Sequence, residues 1–358
     1  MATVAAQRLQ AMPREVGARP QLSSREHLIT VLLAAWMTAG IFIDGWAHIN
    51  LTRLETFFTP WHAVFYSGFL ATAGWVSYEA LRFQPRPRAF DRAAVPAGYL
   101  VGLLGILLFG LGGVADMLWH VIFGIEVGID ALLSPSHIVL FMGGLLIGSS
   151  PLRALWHAHG PPSSYAPILG SLTLTTAGLA FFFLYLSPFT DLTPTTSFVE
   201  WAKRAPAELG YADINLSLGV AGFLLSTVIL DTPLLLALLR FRLPFGSATL
   251  IFTTVAFGLI AMHEFQPAAP LLGAFIGGLL SDVTLAKLRP SPERPAALCA
   301  AGALLPALLW ASHFGVLAVG YGIGWPAELW TGVIVLSSLM GLLIAFLLVL
   351  PRPRTAPA

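Results

Sequence analysis

Two stretches of the sequence place one aspartate and two histidines in the same order. The first, "DGWAHINLTRLETFFTPWH", runs from Asp44 to His62, and the second, "DMLWHVIFGIEVGIDALLSPSH", runs from Asp116 to His137. In each, a histidine follows the aspartate by four residues, so that on a helix the two side chains lie on one face, a turn apart. Three nitrogen or oxygen ligands with an open position suit a catalytic zinc, copper or iron ion. The predicted metal ligands are Asp44, His48 and His62 in the first stretch and Asp116, His120 and His137 in the second.

The two stretches follow one longer pattern. After the first histidine each has a short loop, then an acid, three residues, a hydroxyl residue, a proline, one residue and the second histidine. The aspartates are 72 positions apart, which is the length of a helical hairpin and its connection, so the pattern predicts two tandem parallel repeats. Thr59-Pro60 and Ser134-Pro135 predict helix starts, because a hydroxyl caps free amides and proline fits the first turn. Each second histidine then lies in the first turn of a helix.

An acid lies seven residues before each second histidine. These acids, Glu55 and Asp130, are predicted to orient an imidazole, to relay protons or to act as a fourth ligand. Glu126 is a looser candidate for the same role. The structural alternative is a buried network of aspartate and histidine side chains that ties the hairpins together without a metal.

The elements that position these residues are predicted to be membrane-spanning helices. Hydrophobic residues make up 56% of the chain and charged residues 10%, and apolar runs of about 20 residues recur, each long enough to cross a bilayer. The fold class is therefore all-α, a polytopic membrane protein with about ten transmembrane helices. The predicted spans are residues 27–48, 61–82, 96–121, 135–156, 165–187, 213–239, 247–265, 268–287, 296–320 and 327–350.

The basic residues predict the orientation. With the N-terminus and the C-terminus cytoplasmic, 16 of the 19 lysines and arginines lie inside, and Arg53, Lys203 and Arg204 lie outside. The predicted location is the cell (inner) membrane, as a multi-pass protein. The predicted divisions are a disordered basic cytoplasmic tail at 1–25, the duplicated four-helix region with the metal motifs at 26–160, a six-helix region at 161–350 with an outer loop at 188–212, and a cytoplasmic tail at 351–358.

Composition also excludes several classes of function. The net charge is +1 and topology accounts for the basic residues, so no nucleic-acid partner is expected. The single cysteine, Cys299, excludes an intramolecular disulfide and a multi-thiolate metal site. Nitrogen and oxygen ligands remain, and among the metals that such ligands hold, copper and zinc bind most tightly.

The six later segments carry scattered polar residues. His263, His313 and Glu328 lie near outer helix ends, and with the two motifs they are expected to form one polar chamber. Asp231 and Asp282 lie nearer the cytoplasmic side. Asp282 can pair with a lysine about one turn later. If instead both acids faced a common cavity, they would extend a polar path inward and favour transport.

The two stretches resemble the metal-binding stretches of the C subunit of the copper membrane monooxygenases, the particulate methane and ammonia monooxygenases. That family carries D-x-x-W-H, a short loop and D-T-x-F-T-P-S-H, with a related second copy that has asparagine in place of aspartate. The resemblance covers about residues 40–150, and Trp119 and the string from Ser134 to His137 strengthen it. It implies that the six ligands bind copper near the outer membrane face and that the chemistry is an oxygen-dependent oxidation.

Three functional hypotheses follow. The leading one is an integral membrane metalloprotein with copper sites at the outer face, a monooxygenase-like oxidoreductase. The alternatives are a transporter of a metal ion, a proton or a small solute, and a zinc-dependent membrane hydrolase. The expected partners are the lipid bilayer, other membrane subunits or further copies of this chain, and a small or lipophilic substrate.

Overall fold

The structure is a computed structural model that describes residues 19–51, 57–85, 90–124, 128–197 and 209–350. For residues 209–213 it describes the backbone alone. The described part contains α-helices and short 3-10 turns, and no β-strand lies within it. The helices, in chain order, are α1 Ser24–Asn50, α2 Pro60–Leu81, α3 Tyr99–Phe123, α4 Asp130–Leu133, α5 Pro135–Gly148, α6 Ser150–His157, α7 Ala166–Phe182, α8 Leu209–Leu238, α9 Ser247–Met262, α10 Ala269–Leu288, α11 Pro295–Gly320 and α12 Ala327–Leu348.

A helix lies in each of the ten segments expected from the sequence. The fourth segment is divided between α5 and α6, which bend by 41°. By length and composition six helices of the described part can cross a membrane, or seven if α5 and α6 count as one span. The six are α1, α3, α8 from Ile214 onward, α10, α11 and α12. The all-helical, multi-pass membrane character is confirmed, whereas the count of ten and the orientation stay predictions.

The hydroxyl residues before the second histidines start helices, as expected. The side-chain oxygen of Thr59 accepts the backbone N–H of His62 at 3.1 Å, and that of Ser134 accepts the backbone N–H of His137 at 3.4 Å. The proline that follows each cap is the first residue of α2 or α5. A cap of this kind fixes where the helix begins. It therefore fixes how far along the helix the histidine stands.

Glycines bring α1 and α2 into close contact. A β carbon on Gly40 would lie 2.6 Å from the Cα of Phe65, and one on Gly68 would lie 2.7 Å from the Cα of Met37. Any side chain at either glycine would push the helices apart, because neither neighbour is a flexible side-chain end. The contact holds α1 against α2 next to the first motif.

Glycines also bring α3 and α5 into close contact. A β carbon on Gly112 would lie 3.0 Å from the backbone nitrogen of Leu140, and one on Gly143 would lie 2.7 Å from that of Phe109. Gly112 follows Gly40 by 72 positions, as Asp116 follows Asp44, and Gly143 follows Gly68 by 75, as His137 follows His62. Residues at matching positions of the two stretches thus make matching contacts.

Helix α7 stands between the two halves of the helical assembly. It packs against α1 and α5 on the side of the two motifs and against α8 and α9 on the other side. The largest apolar core lies in the later helices, where Trp310, Phe223 and Phe252 are fully buried. Because α7 is anchored to that core, it forms a fixed wall beside the metal motifs.

Candidate metal centre

The first motif brings its three predicted ligands together. Asp44 and His48 come from the last two turns of α1, and His62 comes from the first turn of α2. The Nε2 atoms of His48 and His62 lie 3.8 Å and 3.3 Å from Oδ2 of Asp44. Nδ1 of His62 is 2.6 Å from the carbonyl oxygen of Phe57. A carbonyl only accepts, so Nδ1 donates, and in the neutral ring the lone pair of Nε2 points toward Asp44.

The second motif builds an equivalent group. The Nε2 atoms of His120 and His137 lie 3.6 Å and 3.0 Å from Oδ1 of Asp116. Nδ1 of His120 donates a hydrogen bond to the carbonyl oxygen of Gly124, 3.2 Å away. We call these groups the first triad (Asp44, His48, His62) and the second triad (Asp116, His120, His137). Within each triad the ligand atoms all lie within 4.8 Å of one another.

Two serines that belong to the cap of α5 support the second triad. The hydroxyl of Ser136 donates to Oδ1 of Asp116 at 3.0 Å, and the hydroxyl of Ser134 lies 2.7 Å from Nδ1 of His137. The two hydroxyls also bond to each other at 3.1 Å. Hydrogen bonds of this kind hold a carboxylate and an imidazole in a fixed orientation.

One buried nitrogen in the second triad has no hydrogen-bond partner within the described residues. Nε2 of His120 faces Asp116 from 3.6 Å, and the His120 side chain is only 3% exposed. A buried polar atom without a partner is unfavourable by about 1–3 kcal/mol. A metal ion bound by the triad would satisfy this nitrogen, and the donor set of one carboxylate and two imidazoles can bind such an ion.

The two triads stand side by side. The rings of His62 and His120, one from each triad, have centroids 6.4 Å apart. The ring of Phe57 lies against both, at 5.0 Å and 6.1 Å. The sequence predicted two sites on the same side of the membrane, but their adjacency follows from the packing of α2 against α3, which no spacing along the chain encodes.

Both triads face one cavity of about 310 Å³. The ligands that line it include Asp44, His62, Asp116 and His137, and most of the remaining wall is apolar. Tyr66, one turn after His62, also lines it, with its ring 6.2 Å from the His62 ring. Sequence reasoning missed Tyr66, although its position four residues after a predicted ligand places it on the same helix face.

Of the two predicted catalytic acids, the structure describes only Asp130. Glu55, like the looser candidate Glu126, lies outside the described residues. Asp130 is exposed at the first position of α4. The orienting contacts that the structure gives to the second triad come instead from Ser134, Ser136 and the Gly124 carbonyl.

The cavity of the triads contains fewer of the predicted polar residues than the single outer chamber expected from the sequence. His263 and His313 do not line the cavity of the triads, and Glu328 is exposed in the first turn of α12. His313 is fully buried among aromatic rings, including those of Phe223 at 5.5 Å and Trp310 at 5.8 Å. The later helices therefore do not contribute these residues to the centre.

The two acids that the sequence predicts near the cytoplasmic side do not form a common path. Oδ1 of Asp282 accepts the backbone N–H of Ala248, and Oδ2 accepts the N–H and the hydroxyl of Thr249, at 2.6–3.0 Å. Asp282 thus caps the start of α9 instead of pairing with the lysine that follows it. Asp231 is fully buried, has no hydrogen-bond partner within the described residues, and faces Gly341 of α12.

Comparison of the chain with family models, with curated proteins and with solved structures found no match.

Proposed function

We propose that this chain is a membrane metalloprotein that holds one transition-metal ion in each triad and acts on a substrate in the cavity they share. The observation that carries the proposal is the unpartnered, buried Nε2 of His120, which faces a carboxylate inside a group of three ligands. In both triads one aspartate and two histidines have ligand atoms within 4.8 Å of one another, which is the number and type of ligands that an open metal site requires.

The metal that we propose is copper, with zinc as the alternative. Imidazole and carboxylate ligands suit both ions, and thiolates play no part because Cys299 is the sole cysteine of the chain. The resemblance of both motifs to the C subunit of copper membrane monooxygenases favours copper and an oxygen-dependent oxidation. A bound copper ion would supply one-electron and oxygen chemistry beside the cavity.

The chain's own residues would hold and orient the reacting partners. Ser136 keeps the Asp116 carboxylate turned toward the two imidazoles, and backbone carbonyls keep Nε2 of His62 and His120 free to bind. Most of the wall around the space between the triads is apolar. Asp130 is exposed at the first position of α4, and we retain it with Glu55 as a proposed proton-relay residue.

We also propose that all ten helical segments cross the membrane, with both termini cytoplasmic and the triads at the outer face. Helix α2 is closely packed on α1 along its length, and α7 and α9 pack against helices that meet the length criterion. The matching contacts of the two hairpins support an origin by duplication. The cell membrane is the proposed location, and association with other membrane subunits or with further copies of this chain belongs to the same proposal.

Metal quantification tests this function. Protein purified in mild detergent and loaded with copper is expected to hold about two ions per chain, one for each triad. His48→Ala and His120→Ala are each expected to remove about one ion and to change the copper EPR spectrum, because each variant leaves its triad with two ligands.

His263→Ala is the matched control, because His263 is half-buried and lies outside the cavity. It should retain the copper content and the spectrum of the unaltered protein. If the double variant with His48→Ala and His120→Ala binds as much copper as the His263→Ala variant, the proposed metal sites do not exist.

A further inference from the structure

The cavity beside the triads continues inward as a long apolar pocket. One stripe of α1 lines it from Met37 to Ile49, and α5 lines it from His137 to Gly148. At 1.5 Å per residue these stretches measure roughly 17 Å along the helix axes. The triads occupy its outer part, since His48 lies one residue before the end of the α1 stretch and His137 begins the α5 stretch.

Three glycines leave the pocket open. Gly144 and Gly148 of α5 and Gly178 of α7 line it, and a β carbon on any of them would have its nearest neighbour 3.6–4.0 Å away. Gly143, on the same helix, differs because its β carbon would lie 2.7 Å from the Phe109 backbone. Gly143 is thus needed for helix packing, whereas the three cavity glycines have room for a side chain and leave it as empty space.

The inner end of the pocket is nearly apolar. Gly148 faces Thr175 of α7, and Met37 and Leu174 lie beside them. A hydrated ion or a polar solute would lose its hydration there and would find only the hydroxyls of Thr38 and Thr175 as partners, which is unfavourable. A hydrocarbon chain would instead bury apolar surface against these walls, and each methylene group would contribute to binding.

The mouth of the pocket is apolar too. Among its lining residues the most exposed large side chains are Ile49, Ile129 and Tyr185, which are 42%, 45% and 36% exposed. They lie at the outer end of α1, just before α4, and just after α7. A rim of this composition suits entry of a lipid-like molecule from the membrane surface more than entry of a polar solute from water.

We propose that the site takes an unbranched amphipathic molecule, a single hydrocarbon chain with a polar end group. The chain lies along Gly144, Gly148 and Gly178, and the polar end lies between the two triads, beside the cavity-lining ligands His62 and His137. This inference names the substrate class of the proposed metal centre and rests on that function. The binding of the chain itself depends on the pocket alone.

Photolabelling of metal-free protein in lipid nanodiscs tests the proposal. The probe is a long-chain fatty alcohol with a diazirine in the chain and a terminal alkyne, and the labelled residues are mapped by mass spectrometry. Labelling is expected on α5 and α7, around Leu145 and Leu174. Gly144→Leu and Gly148→Leu fill the pocket, and each is expected to reduce labelling about tenfold or more, since several methylene groups lose their burial.

Gly74→Leu is the matched control. It makes the same change on α2, where a β carbon would meet nothing within 4 Å and the position lies outside the cavity. It should label like the unaltered protein. Equal labelling of Gly74→Leu, Gly144→Leu and Gly148→Leu would overturn the proposal.

Competition distinguishes a linear chain from any apolar ligand. Decan-1-ol is expected to reduce labelling at a concentration about tenfold lower than adamantan-1-ol, which has the same number of carbons in a compact cage. Equal competition would overturn the assignment to an unbranched chain. Copper binding is measured separately on the same proteins. Equal labelling of all variants with intact copper binding refutes only this inference, whereas labelling that depends on Gly144 and Gly148 in a protein that binds no copper refutes only the proposed metal function.

Discussion

At the residue scale, each triad depends on small hydrogen-bonding groups as much as on its ligands. Backbone carbonyls accept from Nδ1 of His62 and His120, and serine hydroxyls contact Asp116 and His137. These contacts fix which nitrogen of each ring faces the aspartate of its triad. The spacing of the sequence predicted all six ligands, but among the supporting groups it pointed only to the caps.

The hydrogen bond from Ser136 to Asp116 allows a specific prediction. In the His48→Ala background, which leaves the second triad alone, Ser136→Ala is expected to weaken copper binding about 10- to 100-fold. The physical reason is that the Asp116 carboxylate loses the donor that orients it. Competition against a chelator of known copper affinity measures the change.

Ser281→Ala in the same background is the control. Ser281 is a buried serine of α10 that donates to the Gly277 carbonyl, far along the chain from either motif. Copper affinity should be unaffected by this change. If Ser136→Ala and Ser281→Ala leave the affinity equal, Ser136 does not act on the metal centre.

At the scale of the elements, the two hairpins use one design. A capped helix start places a histidine in the first turn, and a pair of glycines sets the partner helix at close range. The caps are readable from Thr59-Pro60 and Ser134-Pro135. The glycine contacts are not readable in the same way, because a glycine that packs two helices looks in the sequence like one that lines a cavity or faces lipid.

Substitution of Gly68 tests the importance of the close contact. Gly68→Ala is expected to lower the free energy of unfolding by about 1–3 kcal/mol, because its β carbon would lie 2.7 Å from the Met37 backbone. Denaturant titration of the detergent-solubilised protein, followed by circular dichroism, measures the change.

Gly74→Ala, on the same helix, controls for helix propensity. A β carbon there meets nothing within 4 Å, and replacing an exposed glycine in a helix by alanine stabilises it by about 0.5–1 kcal/mol. The two variants should therefore change stability in opposite directions. A Gly68→Ala protein as stable as the Gly74→Ala protein would show that α1 and α2 do not need this contact.

At the scale of the whole molecule, the triads belong to one half and the largest apolar core to the other. Helix α7 connects them, since it packs on α1 and α5 and also on α8 and α9. The later helices thus position the wall of the cavity without supplying a ligand. This arrangement explains why the histidines at positions 263 and 313 stand apart from the centre.

Cysteine labelling tests the proposed topology, in which α2 and α9 both cross the membrane. In a Cys299→Ser background, single cysteines are introduced on both sides of α2 with Phe58→Cys and Pro85→Cys, and on both sides of α9 with Phe245→Cys and Glu264→Cys. All four positions are exposed. An impermeant maleimide added outside sealed vesicles of cellular orientation is expected to label positions 58 and 264, because both helices cross the membrane and basic residues flank the inner loops.

Positions 85 and 245 should react only after the vesicles are opened with detergent. Labelling of 58 and 85 from the same side would show that α2 does not cross the membrane. The same result for 245 and 264 would remove α9 from the spans.

The sequence by itself determined the helices, the helix starts and the members of each triad. Apolar runs, cap residues and the four-residue spacing of Asp44 and His48, or Asp116 and His120, act locally, so they can be read without knowing what packs against what. Only the tertiary structure decided that the two triads adjoin, that Asp282 caps α9 and that three glycines open a pocket. Those outcomes depend on which helix faces lie against each other, and that choice depends on contacts between residues far apart in the chain.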